Sequence, residues 1–434
     1  LGILKDNLSK EKIQKLIDKI NKIQLNVKGR QTKVEKTELH NKNFLGKKVK
    51  ALKIFATNYK DLHDIADHLG VPEIEARRGY DLGYITHYIL EKKLLPLNWY
   101  EIKGEIEDRW GIENLDVDLC LRLDNKKEAS DIQKAGNSSS SGGWGLGKKK
   151  LDSRAFTPKI LAYDIEVDEF KIGQGEILMI SLVSDNFKKV ITWKNKTNKV
   201  REKDNNFSSG GRGSGEENTN LQKKELNYVE HVKDEAELLE KFVEYVKKIS
   251  PDFLTGYFSD GFDLPYLRAR AEKNKVRLSL GLDNSQPKFT RGMLTTGKIN
   301  GIIHVDLLRF IQSVYAQYMQ SESLSLNEVA NEFLGDRKKP FKIRHSSTLQ
   351  EKDWKDYFEY NLHDSVLTHQ LFKKMWPDIL EFTRLIQEPV FDVSRNSMSK
   401  NVESYITHNL EKFNEIPEKR PTHEEIGKRR QRPA

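Results

Sequence analysis

The segment "PKILAYDIEV" (158–167) has the apolar composition of a buried strand, yet it contains two acids, Asp164 and Glu166. Residues two apart on a strand point to the same face, so these acids should project together, roughly 6–7 Å apart at Cα. Two carboxylates held this close repel each other unless a cation lies between them. The pair therefore predicts either a site for Mg²⁺ or Mn²⁺, which prefer oxygen ligands, or an edge strand with both acids in solvent.

The segments around this strand predict a mixed α/β domain. Two further β-rich runs, "EILMISLVSD" (176–185) and "KKVITWK" (188–194), follow after short breaks and favour an antiparallel meander. Helical spacing of apolar residues predicts a helix over 234–249 with Asp234 as its N-cap. The remaining elements that we predict are strands at 251–258 and 301–310, a helix with Pro265 in its first turn, and a helix over 360–376.

Two polar stretches interrupt this pattern. Residues 124–152 contain the Ser- and Gly-rich run "NSSSSGGWGLG", which predicts a flexible linker. Residues 203–224 are similarly polar and predict a surface loop inserted into the α/β domain.

Composition narrows the class of protein. The 434 residues allow two or three domains, and 32% charged against 37% hydrophobic residues is typical of a protein that does not reside in a membrane. Cys120 is the single cysteine, which excludes an intrachain disulfide and favours a reducing compartment. The net charge of +9 suits a polyanionic partner, although a solvated charged surface accounts for it equally well.

Acids recur beside two later core segments. Asp263 follows the strand "FLTGYF" at the turn into a helix, and Asp364 lies four residues after Tyr360, where we expect another helix to start. The order D-x-E, F-D and Y-x-x-x-D resembles the three motifs of the DEDDy proofreading exonucleases. The segments "TGYFSDGFDLPYL", "EPVFDVSRNS" and "RPTHEEIGKRR" likewise resemble archaeal-type family B DNA polymerases, from a partial N-terminal domain to the entrance of the palm.

This resemblance implies an α/β, RNase H-like exonuclease domain with a mixed central sheet, and a smaller α+β N-terminal domain fragment. The expected domains are a partial N-terminal domain with its linker, the 3′–5′ exonuclease domain, a helical segment that returns to pack on the N-terminal domain, and the truncated start of the palm. Their expected bounds are 1–152, 153–375, 376–417 and 418–434.

The resemblance also implies roles for the acids. Asp164, Glu166 and Asp364 would hold one metal ion, and Asp263 with Asp164 would help to hold a second, both ions being Mg²⁺ or Mn²⁺. Such a pair of cations clamps the attacking and leaving oxygens of a phosphodiester. Tyr360 would position the attacking water, because its phenol is neutral at pH 7 and can both donate and accept.

The sequence departs from the family at Phe258, where the second motif usually has an Asn. Phenylalanine cannot replace the hydrogen bonds of that amide to a single-stranded 3′ end, but it could stack on a base or pack into the core. We expect exonuclease activity to be retained in weakened or altered form, with Phe258, Tyr257 and Arg268 as DNA contacts.

The predicted function is metal-dependent 3′–5′ proofreading on single-stranded DNA 3′ ends during DNA replication. The nucleotide-binding and metal motifs of the family's palm and fingers are absent from the sequence, so we expect no polymerisation by this chain alone. Expected partners are primer–template DNA, a second chain or further region with palm, fingers and thumb, and a sliding clamp. No membrane partner is expected, and the expected location is cytoplasmic, at the nucleoid. The alternatives are a non-catalytic DNA-binding or assembly subunit of a split polymerase, and a stand-alone nuclease acting on RNA.

Overall fold

The computed structural model describes the chain in several stretches. These are residues 1–98, 100–101, 104–106, 120–123, 133–134, 157–194, 227–291, 295–336, 348–419, 421 and 423–430. The predicted inserted loop lies outside the described residues, and so does all of the predicted linker except residues 133–134. The described residues divide into two compact units, which are residues 97–384 with 389–398, and residues 1–96 with 385–388 and 399–434. The domain bounds given above stay predictions.

The strands, in chain order, have the following bounds: β1 Gly2–Leu4, β2 Gln24–Val27, β3 Arg30–Phe44, β4 Lys47–Ala56, β5 Ile74–Arg77, β6 Tyr100–Glu101, β7 Gly104–Ile106, β8 Leu121–Leu123, β9 Gln133–Lys134, β10 Ile160–Val167, β11 Ile177–Ser184, β12 Phe187–Thr192, β13 Val229–His231, β14 Phe253–Gly256, β15 Lys288–Arg291, β16 Thr295–Lys298 and β17 Ile303–Asp306.

The α-helices have the following bounds: α1 Lys10–Ile20, α2 Leu62–His68, α3 Tyr84–Lys92, α4 Glu235–Ile249, α5 Asp263–Asn274, α6 Leu307–Val314, α7 Leu326–Leu334, α8 Glu351–Ile386, α9 Val390–Val393, α10 Met398–Asn409 and α11 His423–Arg430. Short 3₁₀ helices cover Tyr59–Asp61 and Leu410–Phe413. Among the described residues, no helix is both long enough and apolar enough to span a bilayer.

The smaller unit contains a five-stranded sheet in the order β2-β3-β4-β1-β5. The pairs within it are antiparallel, and β3 with β4 forms its long central hairpin. Ile13, Leu16 and Ile20 recur at helical spacing on α1 and are buried in one core with Leu52 of β4. Strands with helices packed on their apolar side make this unit α+β.

The larger unit is built on a six-stranded mixed sheet in the order β13-β12-β11-β10-β14-β17. Strand β10 pairs antiparallel with β11 and parallel with β14, and β11 pairs antiparallel with β12. The predicted meander and the mixed α/β class are confirmed. Asp234 caps α4 as predicted, since its side chain accepts a hydrogen bond from the amide of Glu237.

Apolar side chains cover both faces of this sheet. On one face Tyr163 and Ile165 of β10 pack with Phe242 of α4, and on the other Ile160 packs with Leu371 of α8. Adjacent residues of β10 thus enter different cores, as strand alternation requires. Each fully buried aliphatic side chain contributes about 1.5–3 kcal/mol relative to exposure. A central strand with both faces covered is held rigidly, and this strand carries Asp164 and Glu166.

Two predicted elements were wrong in part. The strand predicted over 301–310 ends at Asp306, because the side chain of Asp306 accepts a hydrogen bond from the amide of Leu308 and caps α6. Asp364 lies well inside α8 and not at a helix start. Residues 351–359 extend this helix upstream, because Trp354 and Phe358 at helical spacing are buried in one cluster.

Candidate active site

The first component of the site is the pair of acids on β10. Asp164 is opposite Ser181 and Glu166 is opposite Met179 in the ladder with β11. The two acids share the face opposite Tyr163, which is buried in the core with α4. Glu166 is 9% exposed, so the edge-strand alternative with both acids in solvent does not hold.

Helix α8 brings a third carboxylate to this pair. Asp364 is 2% exposed, and one carboxylate oxygen from each of Asp164, Glu166 and Asp364 lies within 4.8 Å of the others. Three carboxylates so close repel one another, and a cation between them would offset that repulsion. Anionic oxygen donors at this spacing are the ligands that Mg²⁺ and Mn²⁺ prefer, so the residues present fit a divalent cation.

Asp263 occupies a different position from these three acids. It is the first residue of α5 and is 4% exposed, but it is not a member of the group within 4.8 Å. Burial, followed by the charge of Asp263, raises the pKa of Tyr163 well above its usual value. The predicted second metal site of Asp263 with Asp164 stays a prediction.

Two hydrogen-bond donors on α8 were missed by the sequence analysis. Tyr357 Oη donates to Glu166 Oε2 over 2.9 Å, and Asn361 Nδ2 donates to Asp164 Oδ2 over 2.7 Å. The donors lie one helical turn apart, so each acid of β10 receives a hydrogen bond from the same face of α8. Burial, followed by the charge of Glu166, raises the pKa of Tyr357 and keeps its phenol protonated.

Tyr360 lies beside these donors. It is 8% exposed and belongs to the same buried cluster as Trp354 and Tyr357, with 6.4 Å between the ring centroids of Tyr357 and Tyr360. Its spacing of four residues from Asp364 places both side chains on adjacent turns of α8. The predicted role of Tyr360 in positioning water stays a prediction.

The three predicted DNA contacts lie on or near the loop between β14 and α5. Phe258 is 40% exposed and has a left-handed backbone, with φ of 63°. Its ring lies over Gly261, where an added Cβ would come within 2.4 Å of ring carbons. The side chain of Phe258 therefore does not pack into the core, which was one of the two roles left open above.

Tyr257 and Arg268 differ from Phe258 in their surroundings. Tyr257 is partly buried against the core beside α8, and its Oη donates to the carbonyl of Leu324 over 2.6 Å. Arg268 is half-exposed on α5, pairs with Glu272 at 2.8 Å and lies over the ring of Phe289. Contacts of these two side chains with DNA stay predictions.

Comparison with known proteins identifies the family and the fold. The family model for the exonuclease domain of DNA polymerase family B matches residues 75–329, which include Asp164, Glu166 and Asp263. This chain belongs to that family. The resemblance inferred from the three motifs is confirmed, and the domain class is the RNase H-like exonuclease of family B.

The relatives of this family B chain include archaeal proteins named DNA polymerase. It is 26% identical over 422 residues to one from Pyrococcus glycovorans, covering 95% of this chain and 43% of that protein. It is 33% identical over 281 residues to one from Thermococcus litoralis, covering 62% of this chain and 14% of that protein. The solved structure of the family B DNA polymerase from Pyrobaculum calidifontis matches 97% of this chain and 46% of that one, with a TM-score of 0.68 and 17% identity. The chain thus spans less than half the length of these relatives.

Proposed function

We propose that this family B chain is a divalent-metal-dependent 3′–5′ exonuclease that removes nucleotides from single-stranded DNA 3′ ends in proofreading. The observation that supports this proposal most strongly is the position of three acids from β10 and α8, two elements remote in sequence. One carboxylate oxygen from each of Asp164, Glu166 and Asp364 lies within 4.8 Å of the others. Three carboxylates this close repel one another, and a bound divalent cation would offset that repulsion.

The residues have separate roles in the proposed reaction. Asp164, Glu166 and Asp364 would hold one divalent cation, and Asp263 with Asp164 would help to hold a second. When bound, two such ions offset the negative charge that builds up on the phosphoryl oxygens. The bond between water oxygen and phosphorus forms and the bond from phosphorus to the 3′ oxygen of the preceding nucleotide breaks. The water loses a proton, the departing 3′ oxygen takes one up to become a hydroxyl, and a 5′-mononucleotide leaves.

Side chains around the acids would orient water and DNA. Tyr360 would accept or donate a hydrogen bond to the attacking water, since its hydroxyl is neutral at pH 7. The half-exposed ring of Phe258 provides a flat apolar surface on which the terminal base could stack.

The decisive experiment incubates the chain with a 5′-labelled single-stranded DNA oligonucleotide in Mg²⁺, Mn²⁺ or EDTA. We expect a ladder of products shortened from the 3′ end in either metal and intact substrate in EDTA. A matched RNA oligonucleotide tests the nuclease acting on RNA, and faster trimming of RNA would favour that activity. Binding of DNA without trimming in any metal would contradict the proposal and favour the non-catalytic subunit.

The proposed physiological setting is a family B DNA polymerase. The relatives are longer and are named DNA polymerase, so we propose that palm, fingers and thumb come from a further region or a second chain, with primer–template DNA and a sliding clamp as partners. The non-catalytic subunit of such an assembly remains the second candidate, because Phe258 replaces the family's usual Asn.

Phe258 gives a prediction of its own. Phe258→Ala should weaken binding of a single-stranded 3′ end about tenfold, because base–aromatic stacking contributes about 1–3 kcal/mol per base. Phe258→Asn restores the family's usual residue, which also tolerates the left-handed backbone, and should change the trimming rate or the apparent affinity. Fluorescence anisotropy in EDTA measures binding, and product ladders measure rate. If both variants match the wild type in both measurements, Phe258 does not contact the substrate.

A further inference from the structure

A buried ion pair holds the loop between β14 and α5, residues 257–262. Arg395 Nε donates to Asp260 Oδ2 over 2.7 Å, and Arg395 Nη2 donates to Asp260 Oδ1 over 3.2 Å. The Asp260 side chain is fully buried, and that of Arg395 is 6% exposed. A two-pronged contact between guanidinium and carboxylate fixes orientation as well as distance. The loop is therefore restrained near its middle by a residue from the segment after α9.

Arg395 is itself held in place by groups from two elements. Its Nη1 donates to the carbonyl of His304 on β17 over 2.9 Å and to the carbonyl of Phe391 on α9 over 3.2 Å. The guanidinium carbon lies 4.0 Å from the centroid of the Phe391 ring, within cation–π range. These contacts hold Arg395 against β17 and α9 in addition to its pair with Asp260.

The backbone of the loop is tied to β17 as well. The carboxylate of Asp306 accepts hydrogen bonds from the amides of Phe258 and Asp260, each over 3.0 Å. Ser259 Oγ lies 3.0 Å from His304 Nε2, and both residues are fully buried. These bonds stabilise the left-handed conformation of Phe258, which costs about 1–2 kcal/mol for a residue with a Cβ.

Asp260 remains ionised inside the protein. Burial alone would raise its pKa, but the contact with His304 and the hydrogen bonds and positive charge of Arg395 outweigh that effect and hold the pKa of Asp260 well below its usual value. The ion pair with Arg395 is therefore present at neutral pH. Arg309 Nη1, at 3.6 Å from Asp260 Oδ2, adds further positive charge on the same side.

The position of the ion pair in the chain connects it to the proposed site. A buried ion pair is weak evidence for stability, since desolvation of both charges offsets much of their attraction. Asp260 lies two residues after Phe258 and three before Asp263, so a shift of the loop would displace a proposed DNA contact and a proposed metal ligand together. Arg395 lies beyond residues 75–329, the part matched by the family model.

We propose that Arg395 is a positioning residue for the exonuclease site, acting through Asp260 to hold Phe258 and Asp263 where a single-stranded 3′ end can use them. The proposal rests on the proposed function, and it assigns a role to the segment "EPVFDVSRNS", which the sequence analysis identified only as a family landmark.

The first test measures the loop directly by hydrogen exchange. In Arg395→Met, the amides of Phe258 and Asp260 should exchange at least about tenfold faster than in the wild type. The matched control is Arg270→Met, which removes an equally buried pair with Glu235 from the later turns of α5. This control should lower the melting temperature without accelerating exchange in residues 257–262. Unchanged exchange in Arg395→Met would overturn the proposal.

The second test measures function. Trimming by Arg395→Met should fall about tenfold in kcat/KM, the size typical of a lost supporting contact, and Arg395→Lys should recover part of it. Because Arg395 acts through Asp260, the double variant Arg395→Met with Asp260→Leu should trim no more slowly than the slower of the two single variants. If the free-energy losses of the two single variants in kcat/KM simply add in the double variant, the proposed route through Asp260 is wrong.

The two proposals can fail separately. If the wild type binds DNA but never trims it, the proposed exonuclease function is wrong. The role of Arg395 is then tested by measuring the binding of a single-stranded oligonucleotide in EDTA. A binding loss in Arg395→Met that is absent in Arg270→Met supports the proposed positioning of Phe258. If Arg395→Met shows faster amide exchange in the loop but unchanged DNA binding and unchanged trimming, the proposed positioning role of Arg395 is wrong.

Discussion

Asp364→Asn is expected to lower the rate of metal-dependent trimming by about 10³-fold or more. The amide has the shape of the carboxylate but carries no charge, so the three-acid group loses one anionic ligand. A bound metal ion supplies several kcal/mol of transition-state stabilisation, and a loss of about 4 kcal/mol corresponds to a thousandfold lower rate. The helix itself should be unaffected, because Asn and Asp have similar helix propensities.

Metal binding to the same variant can be followed without any substrate. A ligand that binds only the folded state raises its melting temperature, so the wild type should melt higher in Mn²⁺ than in EDTA, whereas Asp364→Asn should show little difference. In EDTA the variant should melt at the wild-type temperature or above it, because one of three mutually repelling charges is gone.

Asp378→Asn is the matched control for Asp364→Asn. Asp378 is an acid on the same helix, and it accepts a hydrogen bond from Tyr315 outside the three-acid group. This control should keep the wild-type trimming rate and the Mn²⁺-dependent rise in melting temperature. If Asp364→Asn retained both properties as well, the assignment of the three acids as a metal centre would be wrong.

The central part of the fold could be predicted because its signals are local. β10, β11 and β12 are short runs of β-branched and apolar residues with clear breaks, and α4 shows helical periodicity after a capping Asp. The end of β17 could not be predicted from apolar content, because "HVDLLRF" is apolar on both sides of Asp306. Its side chain decides the boundary by capping α6.

Of the candidate site, only the residues that belong to the family's motifs could be predicted from the sequence. Asp164, Glu166 and Asp364 belong to a known spacing pattern, and the structure brings them together. Tyr357 and Asn361 belong to no such pattern, and only the docking of α8 against β10 shows that they donate to the acids. The pairing of Asp260 with Arg395 joins residues 135 positions apart and left no trace in local composition.

Tyr357→Phe is expected to reduce the affinity of the three-acid site for Mn²⁺ by about 10- to 100-fold, the range found when an outer partner of a metal ligand is lost. The ring remains, so packing against Trp354 and Tyr360 is kept and only the hydrogen bond to Glu166 is removed. A carboxylate has acceptor sites beyond the one that Tyr357 uses, so this hydrogen bond can orient Glu166 while leaving it able to bind metal.

The kinetic pattern distinguishes this role from general destabilisation. Trimming by Tyr357→Phe should be slow at low Mn²⁺ and should approach the wild-type rate as Mn²⁺ increases, because the ligand is misoriented and not absent. Tyr245→Phe is the matched control, since it removes a tyrosine hydrogen bond to Glu230 elsewhere in the same unit and should leave Mn²⁺ affinity unchanged. If added Mn²⁺ does not restore the trimming rate of Tyr357→Phe, the hydroxyl of Tyr357 acts on the substrate or on water. If the Mn²⁺ affinity of Tyr357→Phe is unchanged, Glu166 is oriented without the hydrogen bond from Tyr357.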